Sequence, residues 1–163
     1  MDSNRIRNGD FANGNFEHWR VTENDGRAKV VDYEKDFRAR ITLGKEKPVL
    51  LETARFKIRR PQFKLSLEVS VPEPVDEDAT TMLYCTLSGF EPSQPMPIIL
   101  LLPFTLSATS KEFEYIGEMR ASVTEVQLSM ALAPISNSKG LGPIYLDNVK
   151  YTVDHSDKTI IKK

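Results

Sequence analysis

The sequence predicts an all-β fold in which two antiparallel sheets pack face to face as a sandwich. Three observations carry that prediction. Apolar and polar residues alternate with period two through several stretches, as they do where one strand face is buried and the other is wet. No window of about eleven residues or more gathers its apolar side chains on a helical stripe. Short segments rich in Gly, Pro, Asn and Asp punctuate the chain often enough to make about ten short strands, the pattern of a sandwich rather than of alternating helices and strands.

Taken in order, a polar turn at Glu23–Gly26 leads into a short strand from Ala28 to Tyr33 that carries Val30 and Val31. Phe37, Ala39, Ile41 and Leu43 then alternate with Arg38, Arg40 and Thr42, a strand with one wet face. Gly44 to Pro48 turns the chain. Val49 to Glu52 and Ala54 to Arg59 follow, and Arg60-Pro61 ends the second of them. The strictest alternation comes next, with Phe63, Leu65, Leu67, Val69 and Val71 opposed by Lys64, Ser66, Glu68 and Ser70. The acidic, proline-containing stretch from Pro72 to Asp78 reads as a solvated connection.

From Thr80 to Ser88 the core parity falls on Leu83, Cys85 and Leu87, which turns Met82 and Tyr84 to the other face. A loop from Gly89 to Pro97 precedes the apolar run Ile98–Leu102, which is expected to be a buried strand ended by Pro103. Phe104–Ser107 and Phe113–Met119 are expected as two further strands. Val126, Leu128, Met130 and Leu132 alternate with Glu125, Gln127, Ser129 and Ala131 in another. After the loop Pro134–Gly142, Ile144 and Leu146 share one parity while Val149, Tyr151 and Val153 share the other, so a β-bulge is expected at Asp147-Asn148.

A chain of 163 residues, 40% hydrophobic and 28% charged, suits one domain built on one core. That domain spans 1–163, with the core at about 6–153 and a short tail at 154–163. A formal net charge of -1 supplies no global field for nucleic acid or an anionic membrane, so neither is expected as a partner. The run Ile98–Leu102 falls far short of the ~20 apolar residues needed to span a bilayer, so membrane insertion is not expected either. Cys85 is the only cysteine, and it reads as a buried thiol. Met1–Arg5 has no apolar segment of the kind found in a secretory signal, so the chain stays inside or a signal has been removed.

Catalysis finds little support. The two histidines, His18 and His155, stand in no metal-ligand spacing, and neither a phosphate-binding Gly-Lys-Ser loop nor a Gly-x-Ser-x-Gly elbow occurs. Glu112 and Glu114 share a face, but that spacing is what ordinary solvated strand residues show.

Two motifs at opposite ends of the chain point elsewhere. The first is Asn8-Gly9-Asp10-Phe11 followed by Trp19; the second is Ile144-Tyr145-Leu146-Asp147-Asn148-Val149. Together they resemble the β-sandwich carbohydrate-binding modules appended to xylanases and glucanases, over about Ile6 to Val153. The resemblance implies a galactose-binding-like jelly roll and a non-catalytic module whose partner is a glycan. It also implies a structural calcium between the N-terminal motif, through the backbone carbonyl of Asp10, and the last strand, at Asp147. Where that family usually carries Glu after the motif phenylalanine, this chain has Ala12, one carboxylate fewer. Two readings therefore stand side by side: a calcium held by Asp10 and Asp147, or Asp10 capping a turn while Asp147 accepts hydrogen bonds from the N-terminal loop.

Trp19 is expected in the core beneath that loop. The glycan is expected to stack on Tyr84, with Arg40 and Gln127 hydrogen-bonding to it from wet strand faces. The alternative is a structural or assembly protein, such as a phage virion decoration or tail component, that packs against protein neighbours. Pro95-Met96-Pro97, Ile98–Leu102 and Ile160-Ile161 in the tail are the apolar stretches available for such packing.

Overall fold

The computed structural model describes residues 3–22, 27–44, 48–133 and 140–153. The expected turn at Glu23–Gly26, the middle of the Gly44–Pro48 turn, most of the Pro134–Gly142 loop and the tail lie outside the described residues. The described residues contain no helix. Eleven strands follow one another: β1 (Trp19–Thr22), β2 (Ala28–Tyr33), β3 (Asp36–Ile41), β4 (Val49–Thr53), β5 (Phe56–Lys57), β6 (Gln62–Ser70), β7 (Thr81–Phe90), β8 (Ile98–Leu106), β9 (Glu112–Glu118), β10 (Glu125–Leu132) and β11 (Ile144–Val153). They form a six-stranded sheet in the order β1-β4-β10-β7-β8, with β5 also on β10, and a five-stranded sheet in the order β2-β3-β11-β6-β9. Every pairing is antiparallel, and the chain crosses repeatedly between the sheets, as a jelly roll does.

The core lies where the predicted parities meet. Phe63, Leu65, Leu67 and Val69 of β6 are buried, as are Leu83, Cys85 and Leu87 of β7 and Val126, Leu128, Met130 and Leu132 of β10. Burial also pushes the Cys85 thiol up to about 12, which leaves it uncharged and unreactive. In β11 the register shifts between Asp147 and Lys150, the expected bulge, with Asn148 in the left-handed region at φ 47°.

Two expectations are corrected. The run Ile98–Leu102 is not a buried strand: Ile99 and Leu101 are 57% and 56% exposed, and β8 continues through Pro103 to Leu106. The reason is its position at the edge of the sheet, paired with β7 alone, where a proline nitrogen facing the open side removes no ladder hydrogen bond. The predicted strand Ala54–Arg59 shrinks to Phe56–Lys57, because Ala54 and Arg55 interrupt the pairing with β10. Buried Thr53 fills the break: its Oγ1 accepts from the Leu128 amide at 3.1 Å. Gln127 closes it from outside, its Nε2 donating to the Thr53 carbonyl at 2.8 Å.

Candidate functional site

The N-terminal motif folds around Asn8. Its Nδ2 donates to the carbonyls of Asn15 and Glu17 at 2.9 Å each, while its own carbonyl accepts from Trp19 Nε1 at 3.0 Å. Phe11, fully buried, meets Trp19 with ring centroids 5.6 Å apart, so Trp19 belongs to the core as its place in the motif predicts. Asn4 ties this end to the last strand. Its Nδ2 donates to the Val149 carbonyl at 2.9 Å, and its Oδ1 accepts from the Tyr151 amide at 2.9 Å.

Asp147 does not take part in that junction, which corrects the expectation that it bonds to the N-terminal loop. It precedes the bulge in register with Glu68, so its side chain emerges on the outer face of the five-stranded sheet, while Val149 beyond the bulge is buried. Its Oδ1 accepts from the Asn148 amide at 2.8 Å, and its Oδ2 lies 4.0 Å from Arg38 Nε. Its pKa is raised to about 7, by burial more than by any other cause and next by a side-chain hydrogen bond with Asp36, against the pull of the Asn148 amide. Arg38 does not offset this: its Nε stands at the limit of ion-pair distance and makes no hydrogen bond. Asp10 is exposed in the N-terminal loop, where its Oδ1 caps a turn by accepting from the Ala12 amide at 3.1 Å. The Asp10 and Asp147 side chains thus have separate sets of neighbours, and the described residues hold no group of three or more His, Cys, Asp or Glu side chains arranged around one ion.

Of the three residues expected to meet a glycan, two share a face. Tyr84 on β7 and Gln127 on β10 both point outward from the six-stranded sheet. Arg40 belongs to β3 in the opposite sheet, opposite Tyr145, so it cannot join them at one site. The alternation in each strand shows which residues face out, but not which sheet a strand joins.

The outer face of the six-stranded sheet is ordered in rows. Strand register lines up Thr22, Leu50, Ala131, Tyr84 and Pro103 across five strands. The next row, about 7 Å along the strands, is Arg20, Glu52, Ser129, Thr86 and Leu101. Gln127, Ser88 and Ile99 follow, and Lys57, Glu125 and Phe90 complete the face. A mainly apolar row therefore runs beside one that is polar over four of its five strands. Tyr84 is 37% exposed, and small Ala131 beside it leaves one flank of the ring open. Arg20, Glu52, Ser129 and Thr86 are absent from the predicted site. The four residues of β1 are too short a strand to display a period, and outward parity in β4 is masked by Leu50.

Neither a protein-family model nor a curated protein matches the sequence. Solved structures do match its fold. A family 61 carbohydrate-binding module, TmCBM61 in complex with β-1,4-galactotriose, superposes with a TM-score of 0.66 at 11% identity, over 93% of this chain and 99% of that one. The CBM22-1-GH10 modules of endo-1,4-β-D-xylanase 10B from Clostridium thermocellum, complexed with xylohexaose, give 0.66 at 13% identity over 94% of this chain and 29% of that one. The enzymatically active portion of tailspike protein 4 of bacteriophage CBA120 gives 0.64 at 12% identity, over 93% of this chain and 21% of that one. The chain thus has the jelly-roll fold of carbohydrate-binding modules.

Proposed function

We propose that the chain is a non-catalytic carbohydrate-binding module that takes its glycan on the outer face of the six-stranded sheet. The observation that carries the reading is the pair of adjacent rows, one apolar around Tyr84 and one polar through Thr86, Ser129 and Glu52. A pyranose ring has the matching anatomy, an apolar C–H face and a rim of hydroxyls. The ring stacks on Tyr84 while the rim exchanges hydrogen bonds with the polar row and with Gln127 Oε1, the atom left over once Nε2 has gone to Thr53. All these groups stand on hydrogen-bonded strands, so little ordering entropy is lost on binding.

One observation favours the assembly reading. Ile99 and Leu101 are exposed on an edge strand, where open backbone groups and apolar side chains together form a template for pairing with another protein. A glycan array combined with size-exclusion chromatography separates the two. Glycan binding by a monomer supports the module; a silent array with concentration-dependent oligomers supports assembly.

A further inference from the structure

A cleft of about 570 Å³ opens beside β5, within the ~300 to 1,000 Å³ usual for small-molecule sites. Its walls are the N-terminal segment Asn4–Arg7, the corner at His18 and the stretch Thr53–Lys57. The break after β4 creates it. Among the described residues β5 pairs with β10 alone, so its other edge is left to the cleft, while the opposite wall is anchored through the Arg5 amide to the Tyr151 carbonyl at 2.9 Å.

The lining is cationic in a chain that is nearly neutral overall. Arg5, Arg7, Arg55 and Lys57 line the cleft together with His18, and among the described residues no carboxylate does. Arg55 is already engaged, its guanidinium lying 3.6 Å from the centroid of the Phe90 ring and 3.9 Å from Glu125. Among the described residues, the side chains of Arg5, Arg7, Lys57 and His18 have no ion-pair or hydrogen-bond partner. Like charges gathered around a concavity raise the local concentration of anions, and paired guanidiniums suit the oxygens of a carboxylate or sulfate. Lys57 also belongs to the last row of the outer sheet face, three rows or about 20 Å along the strands from Tyr84, a span of several sugar rings.

We infer that the glycan is an acidic oligomer and that this cleft receives the anionic groups at one end of it, uronate carboxylates or sulfate esters, while Tyr84 stacks on a ring several residues along the same chain. The inference rests on the glycan-binding reading above and is tested separately from it. Calorimetric titration compares an oligogalacturonate, the same oligomer with its carboxylates methyl-esterified, a sulfated galactan oligomer and inorganic sulfate. At least one acidic oligomer is expected to bind at least about tenfold more tightly than the neutral ester, a preference that weakens with added salt. The double variant Arg7→Gln/Lys57→Gln, two exposed positions, removes that preference and leaves ester binding unchanged. Tyr84→Ala weakens the acid and the ester by the same factor. Which acidic oligomer is preferred identifies the source of the charge. Equal affinity for acidic and neutral oligomers, a preference that survives the double variant, or sulfate binding as tightly as the oligomers overturns the inference. Failure of every oligomer to bind, together with a silent array, overturns the glycan reading itself.

Discussion

Gly9 lies directly against Val149: the Val149 amide donates to the Gly9 carbonyl at 2.8 Å, and a Cβ added to Gly9 would stand 2.1 Å from the Val149 carbonyl oxygen. Backbone on both sides cannot yield, so any side chain at position 9 must push the N-terminal segment off the last strand. Gly9→Ala is therefore expected to cost ~2 kcal/mol or more, and Asn4→Ala, which strips the neighbouring amide bonds, ~1 to 3 kcal/mol, both read by urea unfolding. Thermal melts of the parent with excess calcium and with chelator should coincide, since the described contacts at this junction are hydrogen bonds. A calcium-dependent rise in Tm would instead restore the metal at Asp10 or Asp147.

The pH dependence of stability should carry the signature of Asp147. Its folded pKa of about 7 lies above its ordinary value of 3.8, so the folded state holds the proton more tightly than the unfolded one. The stabilising contribution is full below about pH 4 and is lost as the pH rises to about 7. Asp147→Asn keeps an oxygen for the Asn148 amide and has no charge to bury. Relative to the parent it should gain stability between pH 4 and pH 7.5, by on the order of a few kcal/mol. A difference that stays flat across that window would mean that Arg38 neutralises the carboxylate after all.

Tyr151 offers a third test inside the core. Its ring stacks on Phe63 at 5.0 Å and meets Phe56 at 5.0 Å, but its hydroxyl is buried with no hydrogen-bond partner. Burial raises its pKa as well, so the phenol stays neutral. Tyr151→Phe should be as stable as the parent or up to ~2 kcal/mol more so. A loss greater than about 1 kcal/mol would show that the hydroxyl has a partner.

The strands that were legible in the sequence are those whose two faces differ. β6, β7 and β10 are half-buried along their whole length, so their side chains record the core directly. The bulge was legible too, because Leu146 and Val149 are both buried and only an extra residue allows that. What the sequence hid depends on neighbours distant in the chain. Ile98–Leu102 resembles a buried strand until its position at an edge is known. Tyr84, Gln127 and Arg40 all read as outward-facing, but the assignment of β3 to the other sheet is a matter of topology. The cationic cleft was likewise invisible, because Arg5 and Lys57 meet only where β1 stops short and β5 is left with one open edge.

Whether glycan is read on the outer face of the six-stranded sheet is decided by following backbone amide chemical shifts during titration with an oligosaccharide that scores on the array. The largest shifts are expected on Tyr84, Thr86, Gln127 and Ser129, and Tyr84→Ala should move the titration to much higher ligand concentration without changing the fold. Shifts centred instead on Arg40, Tyr145 and Asp147, on the opposite sheet, would contradict that placement.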